Sequence, residues 1–373
     1  MILNDDMTPA QPFHAYLRWL LLEKGKKLDI TTWETYGREL WDFANYLHAN
    51  DLAWDRPFES EGKSVVSVYR DWQAGDLKLE PSTINGRLER VVGMYEWAVL
   101  RGMTEKMPVS YSKVIVHGIE SDFTHLTGGS RTLLSPDVLL DEWEKEPVFL
   151  TAEQVRIARS AIRSTAHRLL FDLMVRSGLR SCEARTFPRA YVFDPSARSD
   201  LKRGTLIEVA LSPRDMEIKL KKPRTIHVPY SLMEEMHVYA QHERNRHVVA
   251  GRPQDALLLT EYGNAYSKGS AWKVMSDLGK RVGFRISPLM LRHSYAIHTL
   301  LLLRANPQIE LEPLMYVRDR LGHENVQMTM VYLRQIERLL GAQALAMMEE
   351  FDNLYDVTPH LREYGANHST SSL

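Results

Sequence analysis

Leu289-Met-Leu-Arg292-His293-Ser-Tyr-Ala-Ile-His298 is the stretch on which the reading of this 373-residue chain turns. Ser287-Pro288 just before it has the form of a helix start, because proline suits the first helical position. The helix so opened carries Arg292 and His293 side by side. Downstream, Leu321-Gly322-His323 sets a glycine stop and then an imidazole at a turn. Tyr332 follows on what reads as a short helix. Upstream, Ser177-Gly178-Leu179-Arg180-Ser-Cys-Glu183 repeats the device. Gly178 permits a sharp turn, Arg180 emerges at the start of the next helix, and Glu183 lies three residues on along the same face. A helix start bearing an arginine is a good anion site.

Each of these residues has a bland reading when taken alone. Arg180 and Glu183 form an ordinary surface pair. Arg292 and His293 decorate a solvated helix face, His323 caps a helix, and Tyr332 is a half-buried aromatic. Together they fit one chemistry. Two arginines can clamp the non-bridging oxygens of a phosphate and stabilise the extra charge of a pentacoordinate transition state. A tyrosine hydroxyl, with a pKa of about 10, is a poor nucleophile until nearby cations favour the phenolate. A lysine can protonate the departing 5′ oxygen. This set calls for no metal or other cofactor, and no carboxylate cluster suited to magnesium is visible in the sequence.

Composition sets the frame. Apolar residues make up 44% and charged residues 25%, the balance of an ordinary globular protein long enough for two cores. The longest apolar runs, such as Leu300–Leu303, stop too soon for a membrane span, and the N-terminus lacks the pattern of a secretory signal. The lone Cys182 leaves no internal disulfide and no cysteine-rich zinc site. A cytoplasmic protein without a membrane partner is expected. Net charge is −1, yet Lys202, Arg203, Arg214, Lys219, Lys221, Lys222 and Arg224 crowd residues 201–227, while Asp137 to Glu146 is mostly acidic. A phosphate backbone responds to such local clusters rather than to the sum.

Periodicity predicts a helical bundle over residues 1–103. Trp33, Tyr36, Leu40, Phe43, Tyr46 and Leu47 recur at helical steps, a shorter helix covers Val65–Trp72, and a third runs from Pro81 to a stop at Gly102. Residues 104–147, with Pro108, Thr127-Gly-Gly-Ser130, Pro136 and Pro147, read as a long linker. A second domain spans 148–335. Thr151 with Gln154 forms a capping-box pattern, and a further helix ends at Ser177-Gly178. Two alternating runs, Leu206–Leu211 and Glu217–Pro229, read as strands. Helices are expected at Ser231–Arg244, Ser270–Val282, Leu289–Leu303 and Glu312–Leu321. Residues 336–373 form a separate amphipathic helix and tail, which either folds back on its own domain or docks on another subunit.

These motifs resemble those of the tyrosine recombinases of the lambda-integrase family. The matching residues are Ser177-Gly-Leu-Arg180-x-x-Glu183, Leu291-Arg292-His293-Ser-Tyr-Ala, Leu321-Gly322-His323 and Tyr332, in the family's order. Pro81-Ser-Thr83-Ile-Asn85 through Tyr95-x-Trp97-Ala98 and Gly102 resembles its helical core-binding, SAM-like DNA-binding domain. The resemblance implies a mainly α fold with a small antiparallel β-sheet, in which a core-binding domain and an α+β catalytic domain clamp duplex DNA. With the core-binding helix starting near residue 13 or 30, no additional N-terminal arm-binding domain is expected. It also implies that Arg180 and Arg292 hold the scissile phosphate and that His323 hydrogen-bonds it. Tyr332 then attacks to give a 3′-phosphotyrosyl link and a free 5′ hydroxyl. Glu183 and His293 would support the site. The expected partners are double-stranded DNA with a specific recombination site, a homo-tetramer on that DNA, and an accessory directionality factor. The expected setting is the nucleoid of a bacterial-type cell, and the expected role is integration or excision of a mobile element.

Two points depart from a simple transfer. The family's lysine sits on a β-hairpin, and here Lys219, five residues before Arg224, fits its spacing best, with Lys221 as the rival. Strand alternation would put both on one face and Lys222 on the other. The family's His-x-x-Arg is here Leu289-Met-Leu-Arg292. That histidine accepts the tyrosine proton or orients the phosphate, and leucine does neither; His293 or a water are the candidate substitutes. Leu289 therefore keeps open a catalytically weakened or silent DNA-binding regulator, beside a type IB topoisomerase, which shares the chemistry but relaxes supercoils as a monomer.

Overall fold

The computed structural model describes residues 1–24, 29–56, 63–116, 131–143, 145–251, 254–306, 308 and 310–355. The Thr127–Ser130 run of the expected linker and the tail beyond Tyr355 lie outside them. The chain divides into two compact units, Met1–Glu144 and Lys145–Leu373.

In the first unit, α1 (Phe13–Arg18), α2 (Ile30–Ala49), α3 (Val65–Gly75) and α4 (Pro81–Leu100) enclose an aromatic core. Asp29 caps α2 and Ser64 caps α3, while Pro81 opens α4 at the position where a missing N–H costs nothing. The stripe read from α2 buries Leu40, Phe43, Tyr46 and Leu47. Phe43 packs on Tyr69 at 4.9 Å, and the Tyr69 hydroxyl reaches Asp42 at 2.6 Å, so the ring is buried with its polar end satisfied.

The expected linker is in part folded onto this unit. β1 (Tyr111–Val116) pairs antiparallel with β2 (Arg131–Pro136). The Asn85 side chain then grips Leu140 as a strand would, donating to its carbonyl at 2.8 Å and accepting from its N–H at 2.9 Å. Val138 is buried in the same core. The prolines suggested a spacer, but one buried amide and a few apolar residues hold the segment after β2 against the helices.

The second unit opens with α5 (Ala152–Ser160), whose Thr151–Gln154 capping box is formed in both directions. α6 (Thr165–Ser177) and α7 (Ser181–Arg185) follow, then β3 (Leu206–Leu211) and β4 (Arg224–Pro229) in antiparallel register. Next come α8 (Tyr230–His242), α9 (Arg244–His247), α10 (Lys268–Val282), α11 (Pro288–Arg304), α12 (Pro313–Leu321) and α13 (Gln327–Tyr355). α11 packs against α6, α12 and α13 and is buried along most of its length. The mainly helical reading with small antiparallel sheets holds.

Two local expectations are corrected. The second hairpin strand begins at Arg224, not Glu217; Lys219–Lys221 form a tight turn in which Leu220 and Lys221 take left-handed backbone, φ 65° and 52°. Strand alternation therefore does not place these lysines. Tyr332 and the tail share the single helix α13, because no glycine or proline interrupts residues 327–340. The side chains of 342–355, and with them the apolar face expected there, lie outside the described ones.

Candidate active site

Two glycine stops build the site. Gly178 ends α6 at φ 70°, and a Cβ there would come within 2.5 Å of the Tyr295 ring. Gly322 ends α12 at φ 64°, with a Cβ position 2.8 Å from Arg224 Cδ. Both the left-handed backbone and the close approach require glycine. One turn delivers Arg180, the other His323.

Between them lies a buried cluster of arginines. Glu183 is wholly buried at its centre. It accepts from Arg224 Nη1 and Nη2 at 2.7 and 2.6 Å, from the Arg180 backbone N–H at 2.7 Å and from Arg180 Nη1 at 3.3 Å. Burial alone would push this carboxyl up, but the Arg224 bonds and charge, with help from Arg180, hold it below the usual carboxylate range. Arg292 is also buried; its Nη1 donates to the Gly178 carbonyl at 2.7 Å and its Nη2 to the Leu321 carbonyl at 2.6 Å. Burial first, and the Arg180 charge next, bring its pKa down to about 9, so it stays cationic at neutral pH. These bonds leave the rest of its N–H fork for an anion. α7 has only five residues, so anion binding here rests on guanidinium groups more than on a helix end.

Tyr332 stands on α13 beside this cluster, 4% exposed. Its hydroxyl lies 2.9 Å from His293 Nδ1. Burial raises its pKa, and the charges of Arg292 and Arg180 pull the other way. The His323 ring stacks on Tyr332, 18° from parallel at 6.1 Å, and its Nδ1 meets the Thr329 hydroxyl at 2.9 Å. With Thr329 donating, the opposite nitrogen carries the proton and can donate to a phosphate oxygen. Burial, then Arg292 and Arg180, bring His323 down to about 3; His293 falls to about 4 through burial and Arg292. Both are neutral at pH 7.

The sequence-named residues Arg180, Glu183, Arg292, His293, His323 and Tyr332 thus converge. Lys219 and Lys221 do not: both are exposed in the hairpin turn, and neither side chain makes a hydrogen bond or ion pair among the described residues. Lys222 instead pairs with Glu324 at 2.6 Å, next to His323. Leu289 is 61% exposed on the first turn of α11. His298 packs edge-to-face on Phe149. Sequence reasoning missed Arg224 as a site residue, reading it as one of a basic cluster and as a ruler for the lysines, and Thr329, which was legible as the residue three before Tyr332 on one helix face. Among the described residues, no group of three or more His, Cys, Asp or Glu is placed to hold a metal ion.

Comparison with known proteins gives one consistent picture. The model of the phage integrase family matches residues 148–338. Tyrosine recombinase XerC of Vibrio cholerae is 25% identical over 88% of this chain and 91% of its own length. Tyrosine recombinase XerA of Thermococcus onnurineus is 28% identical over 55% of this chain; the match spans 64% of that relative. Among solved structures, XerH recombinase in a post-cleavage complex with palindromic difH substrate covers 84% of this chain and 79% of its own, with TM-score 0.55 and 17% identity. The Tn1549 transposon integrase in complex with transposon right end DNA covers 87% of this chain and 98% of its own, with TM-score 0.56 and 15% identity. The last two similarities speak to fold.

Proposed function

Because this chain belongs to the phage integrase family, we propose that it is a site-specific DNA recombinase that cleaves and rejoins strands through Tyr332. The observation that carries the reading is the Tyr332 hydroxyl beside buried, still-charged Arg292, with Arg180 and His323 around the same point. The arginines grip the non-bridging oxygens, His323 donates to one of them, and Tyr332 displaces the 5′ oxygen to leave a 3′-phosphotyrosyl bond. The energy of the broken bond is kept in the new one, so rejoining needs no nucleotide. A lysine of the Lys219–Lys221 turn protonates the 5′ oxygen once DNA draws the basic turn inward.

The Met1–Glu144 unit we read as the core-binding domain that holds the duplex. Exchange between two sites requires four cuts, so we expect four copies on DNA, together with a directionality factor. The natural substrate is proposed to be the ends of a mobile element, in the cytoplasm of its host. Paired short inverted repeats flanking the gene are the expected mark.

The test is covalent capture. Nicked duplexes with a randomised core are incubated with the protein, and DNA retained on it after SDS is sequenced. The wild type should enrich one motif, and Tyr332→Phe should retain nothing. Undiminished retention by Tyr332→Phe would remove the tyrosine assignment. Binding without any adduct would mark a silent regulator, and relaxation without exchange a type IB topoisomerase.

A further inference from the structure

We propose that His293 takes the phenolic proton of Tyr332 during cleavage, filling the role that Leu289 leaves empty. This rests on the recombinase reading and names a proton path for it.

Geometry selects His293. Its Nδ1 is 2.9 Å from the reacting hydroxyl, within range for direct transfer. No other hydrogen bond to that hydroxyl occurs among the described residues. His323 is nearer to Tyr332 in sequence but differently presented. Its ring lies almost flat against Tyr332, and its Nδ1 is engaged by Thr329. The His293 ring is instead tilted by 56° and meets the phenol through a nitrogen. Leu289 has no lone pair to offer, and its exposure shows that the helix does not use it for packing. Lys219 and Lys221 stand in the exposed turn.

The charged surroundings explain when His293 acts. Arg292 adjoins it on the same helix, and His323 and Tyr332 face it from other elements. Burial and the Arg292 cation keep the imidazole neutral, which is its base form. A second cation there is disfavoured. The scissile phosphate reverses this: negative charge grows on its oxygens as the pentacoordinate state forms and offsets Arg292. An imidazolium becomes tolerable at the moment the phenol must lose its proton. The Tyr332 oxygen–phosphorus bond forms and the phosphorus–5′ oxygen bond breaks. The phenolic proton passes to His293 Nδ1, and the departing 5′ oxygen takes a proton from a lysine of the hairpin turn. On rejoining, the 5′ oxygen–phosphorus bond forms as its hydroxyl proton returns to the lysine, the tyrosine oxygen–phosphorus bond breaks, and His293 returns its proton to the tyrosine oxygen.

Two measurements test this. In the free full-length chain at pH 7, nitrogen NMR of labelled histidine, with the His293 signals identified by their loss in His293→Gln, should show a neutral ring with bare Nδ1 and protonated Nε2. A protonated Nδ1 would mean that the bond runs from histidine to tyrosine and would overturn the proposal. In covalent capture with a duplex enriched by the wild type, His293→Gln should slow attachment by about 100-fold while DNA binding in a gel shift is unchanged. Glutamine keeps an acceptor for the hydroxyl but takes no proton, so a purely positioning role would leave the rate intact, and an intact rate defeats the proposal. Absence of any wild-type adduct would instead sink the recombinase reading, and the NMR result would still report where the proton sits.

Discussion

The arginine cluster and the lysine turn stand against each other as two ways of placing a cation. Arg224 and Arg292 are fixed by buried carboxylate and carbonyl acceptors at 2.6–2.7 Å. Lys219 and Lys221 are exposed in a turn with left-handed backbone and no ion pair among the described residues. The two tasks differ in the same way. Gripping a phosphate gains from groups already oriented, since ordering them later would cost entropy. Donating a proton to a leaving oxygen needs a group present only once DNA is seated, and a solvated lysine can be drawn in by the phosphate field.

This contrast can be broken at either end. The largest effect is expected for Glu183→Gln, which leaves Arg180 and Arg224 facing each other without their buried counter-charge. Loss of about 3 kcal/mol in urea unfolding, with loss of attachment, is expected. A stable and active variant would show that the cluster does not depend on that carboxylate. Lys219→Ala and Lys221→Ala should each leave stability within about 0.5 kcal/mol of the wild type. One of them should slow attachment by about 100-fold and so identify the proton donor. Equal, slight effects of both would take the turn out of the chemistry.

Acid sharpens the comparison further. His293 and His323 fall to about 4 and about 3, below the ordinary 6.5. Below 6.5 the unfolded chain takes up protons that the folded chain refuses, so stability is present above that value and is lost as pH falls toward the folded values. The Tm should decline from pH 7 to pH 5, and His323→Gln should flatten the decline; a slope unaltered by that change would show that His323 is not held neutral by the fold. The smallest effect is expected for Leu289→His. At 61% exposure the side chain supports little packing, so stability should move by no more than about 0.5 kcal/mol and cleavage should not be impaired. Abolished cleavage would expose a role for leucine itself.

Much of this was legible because the glycine stops are local signals. Gly178 and Gly322 announce their turns, and the residues after them, Arg180 and His323, follow without tertiary knowledge. The amphipathic stripes of α2 and α4 likewise state which faces are buried. What escaped depends on distant partners. Ile218-Lys219-Leu220-Lys221 alternates like a strand, but Leu220 is exposed and left-handed. Pairing of β1 with β2 and the grip of Asn85 on Leu140, 55 residues away, leave no local periodicity to read. In the sequence Arg224 is one cation among many, and only the fold sets Glu183 opposite it. The bond between Tyr332 and His293 joins α13 to α11, so sequence could offer His293 only as a candidate.

Arg292 donates to the carbonyl at the end of each glycine turn, Gly178 on one side and Leu321 on the other. It is thus placed only when both turns have closed. For a recombinase that opens a DNA strand, the hazard is a chain folded enough to cut but not to reseal. Under the proposed chemistry, tying Arg292 to two separate backbone joints works as an interlock: with either joint open, Tyr332 would meet no gripped phosphate, and a damaged copy would fail with the DNA whole.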